Sequence, residues 1–300
     1  MARTKETYDV RGRTVLITGA ARGIGLESAR RLYARGANVA LVGLEPELLE
    51  QRAAELGDRA AAFEADVTDW DTLGAAVDGA VERFGGIDVA IANAGLAAVG
   101  SVMGGEIHAF ERTIEVNLLG VWRTNRLVLP HVVARGGYIL NIASLAAIAH
   151  APLMAAYAAS KAGVEAFSDS LRQEIASTGA KVGVAYFGFI DTDLVRDTFE
   201  NPATTYVRTR RRENALTRPI PLSRAGDAIE RGVLTRAKRV QAPDWVTAMR
   251  GARGIIGALP DSLVGRPDEV AEAVRLADST DHPTAHIKPE YEDAEHGRVG

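Results

Sequence analysis

The feature that most constrains this chain is a regular alternation of short apolar segments with longer segments of helical periodicity. Short, fully apolar strands are typical of parallel sheets, which are covered on both faces. The alternation predicts an α/β fold with a doubly wound parallel sheet of about seven strands and helices on both faces. Six of these strands are predicted over residues 14–18, 38–42, 60–65, 88–92, 138–142 and 182–187.

The helices predicted between these strands follow from apolar residues three and four positions apart. The longest of them is expected to break near its end at Pro130, because proline cannot continue a helical hydrogen-bond ladder. After residue 190 the alternation weakens. The helices are predicted over residues 24–35, 45–56, 70–84, 108–133 and 155–177.

A glycine-rich turn lies between the first predicted strand and the first predicted helix. It begins at Thr18 and carries Gly19, Gly23 and Gly25. In this context the three glycines permit a tight turn, close approach of a pyrophosphate to the backbone, and close packing of the helix on the sheet. The free N–H groups at the helix start attract phosphate. The turn therefore predicts a nucleotide-binding site.

A second group of residues predicts acid–base chemistry. Tyr157 and Lys161 are four residues apart, so they share one face of a predicted helix. A neighbouring ammonium is expected to lower the pKa of Tyr157, which suits proton transfer near neutral pH. Ser144 follows the fifth predicted strand, and ligands of open parallel sheets bind at the carboxyl ends of strands. The alternative for Ser144 is a helix cap without a catalytic role.

Taken in order, these motifs resemble those of the short-chain dehydrogenase/reductase family over about residues 10–245. The family has a Pro-Gly-x-x-x-Thr loop after its sixth strand, and here Phe187 stands in place of the proline. Such an ordered set of motifs is far more specific than a lone glycine loop. The matching residues are Thr18, Gly19, Gly23, Ile24, Gly25, Asp66-Val67, Asn93-Ala94-Gly95, Asn117, Ser144, Tyr157, Lys161, Gly188 and Thr192.

The resemblance implies hydride transfer between a nicotinamide cofactor and a carbonyl/alcohol pair. It implies that Tyr157 moves the hydroxyl proton, Ser144 holds the substrate oxygen and Lys161 binds the nicotinamide ribose. It also implies a proton-relaying water at Asn117 and a carboxamide contact for Thr192. The implied cofactor contacts are Gly19, Ala21, Arg22, Gly23, Ile24, Gly25, Gly43, Leu44, Glu45, Asp66, Val67, Asn93, Ala94, Gly95, Tyr157, Lys161, Gly188, Ile190 and Thr192.

Several alternatives stay open at the level of the sequence. Asn117 is disfavoured in mid-helix and would also suit a solvent-facing site. Asp66 would also serve as a cap for the next turn. A nucleotide-binding regulator without turnover can share this fold, because a fold does not imply an activity.

The choice between NAD and NADP rests on the end of the second predicted strand. A carboxylate there would bind an NAD ribose and repel a 2′-phosphate, but the position holds Gly43. Leu44 follows where NADP-dependent relatives often carry a basic residue. Glu45 would contact a ribose or repel a phosphate, whereas Arg22 would pair with a 2′-phosphate. The sequence leans slightly towards NADP(H).

The segments around the predicted site carry apolar side chains. They predict a hydrophobic substrate, such as a ring ketone, a steroid-like alcohol or an acyl-chain carbonyl. The candidate wall residues are Leu145, Ala146, Ile148, Leu153, Met154, Phe189, Leu194 and Phe199.

The resemblance also implies assembly through the central helices, residues 108–133 and 155–177. The second of these is rich in small residues, which permit close approach of another helix. A homodimer or homotetramer is therefore expected. The small residues are Ala156, Ala158, Ala159, Ala162, Gly163 and Ala166.

Charge patterning suggests three parts of the chain. Residues 207–253 hold twelve Lys/Arg against four Asp/Glu, and residues 266–300 hold four against nine. We expect a dinucleotide-binding and catalytic domain over residues 1–245, an amphipathic extension over 246–265 and a mobile acidic tail over 266–300. The extension is expected to pack on the domain or on a partner subunit, with a lid or a weak membrane-surface contact as alternatives.

Composition excludes several classes of function. The chain has 300 residues, no cysteine and a net charge of −4, which excludes disulfides and thiolate sites and argues against nucleic-acid binding. The arginine cluster at 208 and 210–212 is interpreted as a solvated face. The six histidines show no metal spacing, so no metal is predicted. Neither a signal peptide nor a membrane-spanning run is evident, and the expected location is the cytoplasm.

Overall fold

The computed structural model describes residues 7–210, 217–256 and 266–279. Seven parallel strands form one sheet in the order β3-β2-β1-β4-β5-β6-β7, which confirms the predicted doubly wound α/β fold. The sequence analysis did not locate the seventh strand, an edge strand with only Val240 and Ala242 buried. The strands are β1 Thr14–Thr18, β2 Asn38–Gly43, β3 Ala60–Glu64, β4 Val89–Ala92, β5 Tyr138–Ile142, β6 Lys181–Phe187 and β7 Arg239–Ala242.

Helices cover both faces of the sheet. Helices α1, α2 and α9 pack on one face, and α3, α5 and α6 pack on the other, each through an apolar cluster that includes buried strand residues. The helices are α1 Gly23–Ala34, α2 Pro46–Leu56, α3 Trp70–Phe84, α4 Ile107–Ile114, α5 Gly120–Ala134, α6 Ala155–Glu174, α7 Asp193–Glu200, α8 Pro202–Arg210, α9 Leu222–Thr235, α10 Trp245–Gly251, α11 Arg253–Ile256 and α12 Pro267–Ser279.

Helices α4 and α5 are joined by a π-helical turn, Glu115–Leu119. The predicted break at Pro130 is wrong, because α5 continues through this residue to Ala134. Val128 and Val132, on either side of the proline, are fully buried. Their packing against the sheet compensates for the local cost of proline in a helix.

The carboxyl-terminal segments pack on the domain. In α10, Val246 is buried in a cluster with strand residues. In α11, Arg253 pairs with Glu165 of α6 at 3.0 Å. The packing expected for the whole amphipathic extension stays a prediction, because residues 257–265 lie outside the described residues.

The mobile tail expected from residue 266 is wrong for residues 267–279, which form α12. Apolar residues at 270, 273, 274 and 277 give this helix one apolar face, and Ala273 is buried against other segments. Residues 280–300 lie outside the described residues, as do Arg211 and Arg212 of the arginine cluster. The division of the chain into three parts stays a prediction.

The strand order places a topological switch between β1 and β4, on either side of which the chain runs outwards in opposite directions. In such sheets a crevice forms outside the carboxyl ends of the strands at the switch. The loops that follow β1, β4, β5 and β6 therefore meet at one edge of the sheet.

Candidate active site

A cavity of about 530 Å³ lies at this edge of the sheet. It is lined by the loops after six strands and by α7. Of the predicted site residues, Gly25 and Asn117 are not part of the lining. Those that line it are Gly19, Ala21, Arg22, Gly23, Ile24, Gly43, Leu44, Glu45, Asp66, Val67, Asn93, Ala94, Gly95, Ser144, Tyr157, Lys161, Gly188, Ile190 and Thr192.

The glycine turn is held rigidly against the loop after β4. The Asn93 amide donates to the carbonyl oxygens of Thr18 and Gly19 at 2.9 and 3.1 Å. A Cβ on Gly19 would lie 2.9 Å from Ala94 Cα, and one on Gly25 would lie 2.2 Å from Gly19 O. These two glycines are therefore required by close backbone packing. Gly25 does not line the cavity, but it lets α1 pack closely against Gly19, which does.

Helix α1 begins at this turn without a side-chain cap on its first turn. The first N–H groups of a helix lack intrahelical partners, and the helix dipole places positive charge there. Gly23 and Ile24, the first two residues of α1, line the cavity. This end of the cavity thus suits an anionic group.

An ion pair stands at the end of β2. Arg22 Nη2 lies 2.8 Å from Glu45 Oε1, and both side chains line the cavity beside Gly43. The other carboxylate oxygen of Glu45 lies 3.7 Å from the position of a Cβ on Gly43. The carboxylate missing from the end of β2 is therefore replaced nearby by one supplied two residues later.

Asp66 has a partner that the sequence analysis did not identify. Arg112 of α4 donates to Asp66 Oδ2 at 2.8 Å and to the Thr68 hydroxyl at 2.9 Å, and it lines the cavity. The Thr68 N–H also donates to Asp66, so the aspartate does cap its own turn. Burial raises the pKa of Asp66, but the bonds from Arg112 and Thr68 outweigh it and hold this pKa below its usual value. A single arginine in a predicted helix offers no signal of such a pairing.

Ser144, Tyr157 and Lys161 all line the cavity. Ser144 Oγ accepts from Ala146 N at 3.1 Å, which makes it the cap of a short 3₁₀ turn as well as a cavity residue. Because this bond uses only an acceptor site, the hydroxyl proton of Ser144 remains able to point at a ligand. Lys161 Nζ donates to Ile142 O at 3.0 Å and lies 5.7 Å from the centre of the Tyr157 ring.

The pKa values of Tyr157 and Lys161 differ from their ordinary values mainly because both groups are buried. Burial raises the pKa of Tyr157, and a hydrogen bond with Ser144 lowers it by less. The prediction that Lys161 lowers the pKa of Tyr157 is therefore wrong. Burial also lowers the pKa of Lys161 to about 8, since an ammonium is poorly solvated in the interior.

Asn117 is fully buried in the π-helical turn, so the solvent-facing alternative is wrong. Its Oδ1 accepts from Leu96 N at 2.8 Å, while its Nδ2 donates to Leu96 O at 2.8 Å and to Ser160 Oγ at 3.2 Å. Ser160 Oγ in turn donates to the carbonyl of Tyr157 at 2.8 Å. The asparagine therefore fixes α6, the helix that carries Tyr157, relative to the loop after β4. A π-turn inside a helix is frequent at functional sites.

Helix α7 forms another part of the cavity wall through Asp193, Leu194, Val195 and Asp197. Of the eight apolar wall residues predicted from the sequence, Leu194 is the one that lines this cavity. Ile148 instead packs into the core with Leu145 partly buried against it, and Phe189 packs on Phe199. Apolar character alone did not distinguish core packing from cavity lining.

Among the described residues, no group of three or more His, Asp or Glu side chains is arranged to hold a metal ion. His108, His131 and His150 lie in the described part of the chain, whereas residues 282, 286 and 296 do not. In the same part of the chain, no helix combines the length and the apolarity that crossing a membrane requires.

Comparison with known proteins places this architecture among related sequences. The chain is 38% identical over 208 residues to nodulation protein G of Rhizobium sp. (strain N33), covering 68% of this chain and 85% of the relative. It is 37% identical over 191 residues to trans-4-hydroxycyclohexanecarboxylate dehydrogenase of Sinomonas cyclohexanicum, covering 61% and 74%. A crystal structure of a short-chain dehydrogenase/reductase from Burkholderia phymatum in complex with NAD has the same fold. It has a TM-score of 0.71 and 20% identity, and the match covers 84% of this chain and 96% of that chain.

The family model of the short chain dehydrogenases matches residues 13–203. This span includes the glycine turn, Asn117, Ser144, Tyr157 and Lys161. The match and the relatives agree with the fold and with the order of motifs. The chain therefore belongs to the short-chain dehydrogenase family of oxidoreductases.

Proposed function

We propose that this oxidoreductase transfers a hydride between NAD(H) and the alcohol or carbonyl of an apolar ring or chain substrate. Tyr157 is the proposed general acid/base. The observation that carries the proposal is that Ser144, Tyr157 and Lys161 line the same cavity as the glycine turn. The residues suited to bind a nucleotide and those suited to move a proton thus line one cavity.

The residues present fit a dinucleotide cofactor. The uncapped start of α1 suits its pyrophosphate, and Lys161 Nζ, with one bond to Ile142 O, has further protons for ribose hydroxyls. Thr192, the cap of α7, lies across the cleft from Gly23: a Cβ on Gly23 would be 3.7 Å from its methyl group. When bound, the nicotinamide supplies or accepts the hydride.

In the direction of reduction, Tyr157 Oη donates its proton to the substrate oxygen as negative charge develops there. The Ser144 hydroxyl donates a hydrogen bond to the same oxygen, which stabilises the charge. Lys161, when protonated, stabilises the phenolate that is left on Tyr157. The proposed part of Asn117, which lies outside the cavity lining, is to position Tyr157 through Ser160.

The test is the Tyr157→Phe variant, which keeps the ring and removes the proton. Loss of a general acid costs about 10²–10⁴-fold in rate. We expect turnover to fall by at least about 100-fold, while NADH affinity in a fluorescence titration stays within about twofold because the hydroxyl is not needed for nucleotide binding. Retained turnover would contradict the proposed role of Tyr157. A wild-type protein that binds the cofactor without turnover of any alcohol or ketone would support the regulator alternative.

The proposed preference for NAD(H) reverses the slight lean of the sequence towards NADP(H), and it rests on the pair formed by Arg22 and Glu45. A 2′-phosphate bound to Arg22 would lie beside Glu45, which already accepts a bond from Arg22 Nη2. The carboxylate of Glu45 would then repel the phosphate at short range. The same carboxylate is an acceptor for ribose hydroxyls.

The Glu45→Gln variant removes this repulsion and frees Arg22. We expect the ratio of NADPH to NADH affinity to rise about tenfold, equivalent to 1.4 kcal/mol. Glu50→Gln, which removes an exposed carboxylate from the adjoining helix α2, is the matched control and is expected to leave the ratio unchanged. An equal ratio in wild type and Glu45→Gln would contradict the preference for NAD(H).

The proposed substrate class rests on the apolar part of the cavity wall and on one relative. Phe187, Ile190, Leu194 and Val195 line the same cavity as Ser144 and Tyr157. The relative from Sinomonas cyclohexanicum is named for a hydroxylated cyclohexane ring. A panel of cyclohexanol, a steroid alcohol, a long-chain secondary alcohol and a sugar alcohol tests the class. Oxidation confined to the sugar alcohol would contradict it.

We also propose a homodimer or homotetramer assembled through α5 and α6. In α6, Ala159 and Ala166 are exposed and seven residues apart, so they share one outward face with Ala162. On α5, Trp122 is 41% exposed despite its size. Sedimentation at micromolar concentration is expected to show a mass above that of one chain. Ala166→Arg is expected to lower it, and a monomeric wild type would contradict the assembly.

A further inference from the structure

Helix α12 lies outside the span matched by the family model, yet it packs against segments that shape the cavity. Ala273 is buried in a small apolar cluster with Val99, Leu153 and Ala203. Val99 belongs to the loop after β4, Leu153 lies just before the helix that carries Tyr157, and Ala203 lies in α8. The cluster thus joins α12 to three other segments of the chain.

Helix α8 is in turn tied to α7, which forms the substrate end of the cavity. The Thr205 hydroxyl donates to Phe199 O at 2.7 Å, and the Thr204 hydroxyl donates to Asn201 O at 2.9 Å and also bonds Thr198 O. Ala203 N donates to Asn201 Oδ1 at 3.0 Å. Side chains at the start of α8 therefore hold the end of α7, so the two helices are expected to move together.

The carboxyl-terminal end of α12 has its own attachment. The Ser101 hydroxyl donates to Asp278 Oδ2 at 3.0 Å and accepts from Gly104 N at 2.8 Å. A Cβ on Gly104 would lie 2.6 Å from the Asp278 carboxyl carbon, so the helix end sits directly on this loop. The helix is attached to the loop after β4 at one end and to α8 near its middle.

By contrast, α7 has weak local support. The ion pairs of Arg196 with Asp191 and Asp193 are on exposed side chains, and such pairs contribute little. No residue of α7 is fully buried. Besides the packing of Phe199 on Phe189, the position of α7 over the cavity depends on its contacts with α8.

We propose that α12 is a positioning element for the substrate end of the cavity: through Ala273 and Asp278 it holds the α7–α8 pair against the loop after β4. On this account, a helix beyond the family-matched span sets how tightly a substrate is enclosed. The consequence for catalysis rests on the proposed function, whereas the packing contacts of α12 do not depend on it.

Native-state amide hydrogen exchange of the full chain, without ligands, tests the inference. Ala273→Asp places a charge in the apolar cluster, and Ala271→Asp places the same residue on the exposed face of the same helix. We expect exchange across residues 193–208 to accelerate about tenfold or more in Ala273→Asp. The strands β1, β4 and β5 should keep their protection, and Ala271→Asp should resemble wild type. Ala273→Ser, which stays small, is expected to retain the protection of α7 and α8.

Equal protection of α7 and α8 in Ala273→Asp and Ala271→Asp would overturn the inference, and so would a loss of protection spread over the whole sheet. If Ala273→Asp does not fold, Asp278→Ala supplies the same readout by removing the attachment to Ser101. An NADH titration separates the two proposals. Failure of wild type to bind the cofactor would count against the proposed function, whereas the exchange result judges the role of α12 regardless.

Discussion

Two parts of the cavity wall are built in different ways. The part at the glycine turn is fixed by contacts between loops of the core, such as the bonds from Asn93 to Thr18 and Gly19. The part formed by α7 has half-buried and exposed side chains, and its ion pairs, such as Arg196 with Asp193, are exposed. After the proposed function we call these parts the nucleotide end and the substrate end. The core itself holds the first, whereas peripheral helices hold the second.

The largest expected effect tests how well the nucleotide end, where Lys161 is proposed to bind the ribose, excludes water. Burial lowers the pKa of Lys161 to about 8 in the folded protein, so between pH 8 and its ordinary pKa the unfolded chain binds more protons than the folded one. This contribution of Lys161 to the free energy of unfolding therefore rises with pH, by about 3 kcal/mol across that interval. The measurement is urea unfolding of wild type and Lys161→Met at pH 7.5 and pH 10, taking the difference between the proteins at each pH. A difference that does not move with pH would mean that water reaches this end.

The second prediction compares two helical glycines. Gly25→Ala is expected to destabilise the protein by about 2 kcal/mol, because its Cβ would lie 2.2 Å from Gly19 O. Gly74→Ala, where a Cβ meets nothing within 4 Å, is the matched control. It is expected to stabilise the protein by up to about 1 kcal/mol, since alanine is the better helix former. The same sign for both substitutions in denaturant unfolding would remove the distinction drawn for the nucleotide end.

The smallest effect on the free energy of unfolding is expected in α7. Arg196→Ala removes both exposed ion pairs of α7, and we expect the free energy of unfolding to change by less than about 0.5 kcal/mol. The same denaturation series measures it. A loss above about 1 kcal/mol would show that these pairs, rather than α8 and α12, support the substrate end.

Much of the fold was predictable because its signals are local. The apolar strands β1, β4 and β5 and the glycine turn are short patterns in which each residue type answers a local requirement. The seventh strand escaped prediction because an edge strand buries few residues and so loses the apolar run. The break predicted at Pro130 is wrong because packing of the residues around it outweighs the local cost of proline in a helix.

Within the candidate site, the order of motifs identified which residues line the cavity but not how each is used. Asn117 was assigned to a water, and the structure shows its amide holding Leu96 and Ser160. Arg112 was missed although it pairs with Asp66. Both relations join residues far apart in the chain, and spacing along one segment carries no information about them.

The sequence by itself determined the parallel α/β sheet, the glycine turn and the set Ser144, Tyr157 and Lys161, since these depend on local pattern and on ordered motifs. Only the tertiary structure decided the electrostatics and the enclosure. The pKa of Tyr157 is raised rather than lowered because the burial of its hydroxyl outweighs its bond with Ser144. The segment expected to be a mobile tail is a packed helix over residues 267–279 because its apolar face meets α8 and the loop after β4. Burial and long-range packing are properties of the whole fold, and no segment encodes them alone.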